Sequence, residues 1–146
     1  MKNVLNQTEY LIDVFELPDT TIAYFAGLFD GDGCIGLNQN GKFTRFSIQI
    51  DNSDPRVIED LHLAFGGGKT RFKYMKWDRF MYRWVAYGKR GELILKTLYP
   101  YLRIKKEQAA LTFLYRQYTG RRNCTKQRKE IVDKARALKD RGKLNA

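Results

Sequence analysis

The sequence predicts an α+β fold of order αββαββα with helical additions, centred on a four-stranded antiparallel sheet. Two observations carry that reading: a helix-period run closed by glycines and followed by a strand, an Asn-Gly turn and a return strand, and then a second helix followed by two strands in a similar layout. Asp19, Thr20 and Thr21 can cap the first helix, whose apolar residues Ile22, Phe25, Ala26 and Phe29 recur at helical spacing before Gly31 and Gly33 end it. A less regular helix is expected before it, from about Thr8 to Leu17, ahead of Pro18. Cys34 to Gln39 reads as a strand, Asn40-Gly41 as a hairpin turn, and Phe43 to Asp51 as the returning strand. Asp54 and Pro55 open the second helix with a capping residue and a proline at the first helical position, and Gly66-Gly67-Gly68 closes it. Lys69 to Met75 and Arg79 to Tyr87 follow as strands. Glu92 to Tyr99, Lys106 to Tyr118 and Lys126 to Leu138 are helices, the first stopped by Pro100 and the second by Gly120.

Side chains alternate across a strand, so each strand has two faces. Phe46, Ile48 and Ile50 lie opposite Arg45, Ser47, Gln49 and Asp51. The basic residues of the second pair, Lys69, Arg71, Lys73, Arg79 and Arg83, are expected to join Arg45, Ser47 and Gln49 on the uncovered face of the sheet, with Phe72, Tyr74, Phe80, Tyr82 and Trp84 in the core.

The 146 residues read as one domain, with a core over about 20–118 and a basic helical extension over about 121–146. Hydrophobic residues make up 43% and charged residues 29%, which fits a globular chain, and the longest apolar run is far short of the roughly 20 residues that span a bilayer. No membrane partner is expected. Glu9, Asp13 and Glu16 interrupt the apolar start and no small-residue cleavage site follows, so it is not expected to be a secretory signal. Cys34, Cys124 and a single histidine, His62, are too few for a disulfide framework or a Cys/His zinc site. An intracellular, reducing setting is the expectation.

The net charge is +11, and it is unevenly placed: 4 basic and 10 acidic residues up to Gly66, then 23 basic and 6 acidic residues. A polyanion is the natural partner. Arg and Gln on a free sheet face can read base edges in a major groove, while Lys neutralises phosphate.

The stretch Tyr24 to Gly33 ends a helix with two carboxylates, Asp30 and Asp32, at its negative pole, which the helix dipole disfavours. Capping or turn hydrogen bonds would compensate them, or a hard divalent cation held by carboxylate and carbonyl oxygens. Ala26 and Gly27 remove side-chain bulk, so a second copy of the helix can pack alongside. The carboxylates of both copies would then meet near a two-fold axis, as in a two-metal phosphodiesterase.

Phe25 to Gly33, FAGLFDGDG, resembles the LAGLIDADG signature of homing endonucleases, with one copy per chain as in the homodimeric members. The resemblance extends to the αββαββα order over roughly residues 20–118, and residues 103–109 resemble the family's late lysine segment. It implies that Asp32 binds metal with the Gly31 carbonyl beside it, that Asp30 is structural, and that Lys105 stabilises phosphate charge or orders solvent. Asn52 or Gln49 would fill the place of a water-organising polar residue, and Arg56 is either a phosphate ligand or an ordinary first-turn arginine. The implied activity is Mg2+-dependent cleavage of a long, pseudo-palindromic double-stranded DNA site, with Mn2+ substituting and Ca2+ supporting binding without cleavage. The implied setting is an intron-encoded enzyme of a bacterial or phage cytoplasm or an organelle. An alternative is a binding protein of the same fold, an intron maturase or regulator, holding RNA or DNA without cutting it, with residues 116–136 as a second basic surface for intron RNA.

Two tempting motifs fail. Gly68-Lys69-Thr70 would need a glycine at Leu63 to make a P-loop, and its segment leaves a helix instead of a strand. Asp30 and Asp32 would need a ligand at Cys34 and a glycine at Ile35 to make an EF-hand loop.

Overall fold

The computed structural model describes residues 15–40, 43–118 and 124–144; most of the helix expected from Thr8, and Gly41 of the hairpin turn, lie outside them. Helix α1 (Asp19–Asp32) leads into strands β1 (Gly33–Asn40) and β2 (Phe43–Asn52), and helix α2 (Pro55–Phe65) into β3 (Gly68–Tyr74) and β4 (Arg79–Tyr87). Three α-helices complete the described chain, α3 (Gly88–Leu98), α4 (Lys106–Gln117) and α5 (Thr125–Leu144), with a short 3-10 turn over Tyr99–Tyr101 after α3. The α+β reading and its element order hold. Helix α3 begins four residues before Glu92, and α5 runs past Leu138.

The sheet has the order β1-β2-β4-β3 with antiparallel neighbours throughout. Each αββ unit contributes one hairpin, and the units join through their second strands, β2 and β4. Helices cover one face, where Phe25 and Phe29 of α1, Ile58, Leu61 and Phe65 of α2, and Ile94, Leu95 and Leu98 of α3 close over Phe46, Ile48, Ile50, Trp84 and Ala86. Phe65 stands at the aromatic centre of this layer, its ring 5.3 Å from that of Phe25 and 6.3 Å from that of Trp84. The buried indole N–H of Trp84 donates to the Gly66 carbonyl at 2.7 Å, which satisfies a polar group that would otherwise be stranded. Gly67 follows at φ 88, and a Cβ there would sit 2.7 Å from the Val85 carbonyl oxygen, so the turn from α2 into β3 needs glycine.

One local expectation is corrected. The cap of α1 is Pro18 and not Asp19, Thr20 or Thr21: its carbonyl accepts the N–H of Thr21 at 3.0 Å and of Ile22 at 3.1 Å, and no side chain caps the helix. Asp19 instead places its charge in the first turn, where the dipole favours it. The cap of α2 is as expected, Asp54 accepting the Arg56 N–H at 2.9 Å.

The larger correction concerns the sheet faces. Lys69 pairs with Trp84, Arg71 with Tyr82 and Lys73 with Phe80, so these three cations share the helix side of the sheet. Lys69 is ion-paired with Glu59 of α2, Arg71 lies 4.3 Å over the Phe80 ring, and Lys73 meets Asp78 at 2.7 Å. On the free face the same strands place Thr70 opposite Arg83, Phe72 opposite Met81 and Tyr74 opposite Arg79. Of the aromatic residues expected in the core, Trp84 is fully buried and Tyr82 is packed against the core, whereas Phe72 and Tyr74 are on the free face and Phe80 is exposed.

Helix α5 packs on α4 and along β1, an edge strand, with Ile131 and Ala135 buried. From it Lys139 donates to the Ile35 carbonyl of β1. Among the described residues no helix is long and apolar enough to cross a membrane.

Candidate functional site at the end of α1

The end of α1 is held where three segments converge: the start of β1, the end of β2 and the loop before α4. A Cβ on Gly33 would collide with the ring and carbonyl oxygen of Phe29, so glycine lets the chain turn from helix into strand at once. That tight exit leaves Asp32 exposed at the last helical position.

The two carboxylates of the signature have opposite surroundings. Asp30 is buried, 9% exposed, and its oxygens accept the backbone N–H of Arg103 at 2.8 Å and of Lys105 at 3.0 Å. It therefore clamps the loop before α4 onto the end of α1. Asp32 accepts one hydrogen bond, from the Asn52 amide at 3.1 Å, and makes no ion pair among the described residues. Asn52 is itself oriented, because its carbonyl oxygen accepts the Asp54 N–H at 2.8 Å. Of the two residues left open by the sequence, Asn52 touches Asp32. Gln49 lies on the free face, across from Cys34 and Val85.

Lys105 is half-buried, and its ammonium donates to the Asp30 carbonyl at 2.6 Å. This puts a cation at the negative end of α1, where it complements the helix dipole. Burial pulls the Lys105 pKa down from its ordinary value; Asp30, Cys34 and Asp32 pull it up, and Lys139 adds to the lowering. The last-turn carbonyls of a helix lack intrahelical donors. Here Phe29 takes the Gly33 N–H and Asp30 takes Lys105, which leaves the Gly31 carbonyl next to the Asp32 carboxylate in the chain.

Arg56 lies just beyond this cluster and is engaged by Asp54, its guanidinium donating at 2.7 Å and its Nε at 3.0 Å. The guanidinium and the Arg56 N–H together hold the Asp54 carboxyl down to about 2. The Arg56 side chain is 87% exposed, so a second anion can approach its outer edge.

Arg45, Ser47, Gln49, Arg79 and Arg83 occupy the free face as expected; Lys69, Arg71 and Lys73 do not. The sequence reading missed that Asp51 grips Arg83 with bonds of 2.7 and 2.8 Å on that face, raising the Arg83 pKa and fixing its direction. It also missed Lys139, whose ammonium lies 3.8 Å from the Cys34 sulfur beside this site. The Asp51–Arg83 pair follows from the β2–β4 register, whereas nothing in the sequence near Lys139 points to β1.

Ala26 and Gly27 separate. Ala26 is fully buried in the chain's own core and cannot meet a second copy, which corrects its place in the expected dimer contact. Gly27 is exposed, a Cβ there would meet nothing within 4 Å, and it lies on an open stripe with Thr20, Tyr24 and Gly31.

Residues 19–67, from α1 through α2, match the family model of a LAGLIDADG-like domain. No curated protein matches the sequence. The solved structure of the homing endonuclease I-CvuI, determined with a DNA target in the presence of Mg and with the DNA not cleaved, is 23% identical at a TM-score of 0.58, covering 87% of this chain and 82% of that one. A second structure of I-CvuI, with its target in the presence of Ca, gives the same values. The archaeal intron-encoded homing endonuclease I-Vdi141I, complexed with DNA, is 13% identical at a TM-score of 0.68, covering 82% of this chain and 84% of that one. The helices and four-stranded antiparallel sheet described above are the fold of these homing endonucleases.

Proposed function

We propose that this chain, which carries a LAGLIDADG-like domain over residues 19–67, is a homodimeric, site-specific endonuclease that hydrolyses double-stranded DNA with a divalent cation, Mg2+ in the first instance. One observation carries the reading: Asp32 stands exposed at the negative end of α1, oriented by a neutral amide and paired with no cation among the described residues. A carboxylate held in this way, with its other lone pairs open, is a ready ligand for a cation from outside the chain. The +11 net charge and the free sheet face make a polyanion the fitting substrate, and the DNA-bound neighbours share the fold.

The donor set suits a hard cation. Asp32 and the Gly31 carbonyl offer oxygens, and among the described residues no group of three or more His, Cys, Asp or Glu side chains forms a closed cage. Asp32 and the Gly31 carbonyl would hold such a cation, whose remaining ligands would come from substrate phosphate, water and, in a dimer, the second copy. The chemistry a bound cation supplies here is polarisation of the phosphate and a lowered pKa for the attacking water. Asn52 fixes the direction of the Asp32 carboxylate. Lys105, anchored on the Asp30 carbonyl, places positive charge where phosphate charge builds up. Arg56 offers the exposed side of its guanidinium to a neighbouring phosphate. Gly27, in the open stripe, permits the close helix approach that brings two Asp32 carboxylates to one duplex.

The test is incubation with a randomised duplex library and Mg2+, followed by sequencing of the cut ends. A long, pseudo-palindromic cut site is expected, because a two-fold dimer reads two half-sites. Enrichment of bound duplexes without any cutting would refute the nuclease reading in favour of a binding protein of the same fold.

A further inference from the structure

The register makes the free face chemically uneven. Toward β1 and β2 it is polar, with Arg45, Ser47 and Gln49. At the far end of the β3–β4 hairpin it is apolar: Phe72 pairs with Met81, Tyr74 pairs with Arg79, and Trp77 of the connecting turn stacks on Tyr74 with ring centroids 4.9 Å apart. None of these completes the core. Tyr74 is 40% and Trp77 57% exposed, although exposed aromatic rings cost water-ordering free energy. The rings are nevertheless held in place: Arg79 lies 5.2 Å over Trp77, and Arg83 lies 4.9 Å over Phe72.

The charges around this cluster select its partner. Lys76 lies 5.7 Å and Arg79 5.2 Å from the Trp77 ring, neither in an ion pair among the described residues, whereas Lys73 is on the helix side with Asp78 and Arg83 is gripped by Asp51. A neutral apolar protein surface would match the aromatic rings and leave Lys76 and Arg79 without counter-charge; the duplex already proposed for the rest of this face supplies both phosphates and an apolar base edge. A two-stranded ribbon fits a major groove, and there the one apolar group on a base edge is the thymine 5-methyl.

We propose that the far end of the β3–β4 hairpin is a specificity element that reads thymine methyl groups in the outer part of each half-site. This rests on the DNA reading given above and adds to it a base preference and the residues that set it: Phe72, Tyr74, Trp77 and Met81 make the methyl contacts, and the flanking cations fix the strand by its phosphates. The hairpin loses little freedom on binding, because ring stacking and the overlying guanidinium groups already order it.

The experiment selects bound duplexes from a randomised library with the full chain, then replaces thymine by uracil at the outer selected positions, which removes the methyl and nothing else. Enrichment of thymine at those positions is expected, with affinity by fluorescence anisotropy falling about fourfold per methyl removed. Trp77→Ala and Met81→Ala, both outside the Asp32 cluster, are each expected to narrow the gap in affinity between thymine and uracil duplexes. Equal binding of the two duplexes by the unmodified chain would overturn the inference, and so would a thymine preference that survives undiminished in both variants. A selected site without outer thymines sinks this inference and leaves the DNA reading standing; no enrichment of any duplex sinks both.

Discussion

Asp30→Asn and Asp32→Asn change neighbouring carboxylates of one motif by one atom each, yet the structure predicts opposite outcomes. The Asp30 carboxylate receives two backbone donors, Arg103 N at 2.8 Å and Lys105 N at 3.0 Å, in a buried position. An amide keeps one acceptor and turns an NH2 group toward the other donor. One charge-assisted hydrogen bond is lost and a backbone N–H is left facing a second donor, which together costs about 2–4 kcal/mol. That is a large share of a domain's usual stability of about 5–15 kcal/mol. Asp32 is exposed, and its single bond from Asn52 can be accepted equally well by an asparagine oxygen. Removing its charge from the negative end of α1 is favourable by up to about 1 kcal/mol. Urea denaturation monitored by circular dichroism should therefore show a clear fall in midpoint for Asp30→Asn, with an unchanged or slightly raised midpoint for Asp32→Asn. DNA cleavage should be lost in Asp32→Asn while duplex binding survives. A loss of about 2 kcal/mol or more in Asp32→Asn, or an unaffected midpoint in Asp30→Asn, would refute the division of roles.

Gly27→Leu adds bulk into open space on the monomer, so its folding should be unaffected while sedimentation shows the dimer lost; a stable dimer would show that this stripe is not the contact. Arg83→Ala should weaken specific binding by about 1–3 kcal/mol, since it removes an oriented guanidinium from the free face and leaves Asp51 unpaired. Lys69→Ala should change affinity by less than about 0.5 kcal/mol, because its ammonium is engaged with Glu59 on the helix side; anisotropy titrations compare the two variants. The Asp54 carboxyl is depressed to about 2 in the folded chain against an ordinary 3.8, so its pairing with Arg56 favours the fold above pH 3.8 and is lost as the pH falls through about 2. A carbon-detected NMR titration should place its midpoint there, moving up in Arg56→Ala; a midpoint near 3.8 in the unmodified chain would contradict the pairing.

What the sequence revealed about the site follows from how local each feature is. Asp30, Asp32 and Gly33 lie within one turn of chain, so a helix ending in two carboxylates is legible without tertiary knowledge. The same is true of Asp54 and Arg56. Strand faces are different. Alternation shows which residues of one strand share a face, but the choice of face depends on burial and on the connection between strands. In β2 the run Phe46, Ile48, Ile50 settles it. In β3 every residue but Phe72 is exposed, so neither face carries an apolar signal, and the turn from Met75 to Asp78 decides. That turn sets Tyr74 opposite Arg79, which sends Lys69, Arg71 and Lys73 to the helix side and Phe72 to the free side. A count of basic residues had no access to that step.

Ala26 and Gly27 show the same limit within a helix. Adjacent residues are about 100° apart around the axis, so two small residues next to each other in sequence need not face the same partner. The buried set Ile22, Phe25, Ala26 and Phe29 claims Ala26 for the core, and the stripe Thr20, Tyr24, Gly27 and Gly31 is what remains for a second chain. The stripe ends at the Gly31 carbonyl, one residue before Asp32. In the proposed dimer a helix contact along it would set the spacing of the two carboxylates, so bulk added at Gly27 should act on both dimer formation and cleavage, while Asp32→Asn should act on cleavage and leave the dimer intact.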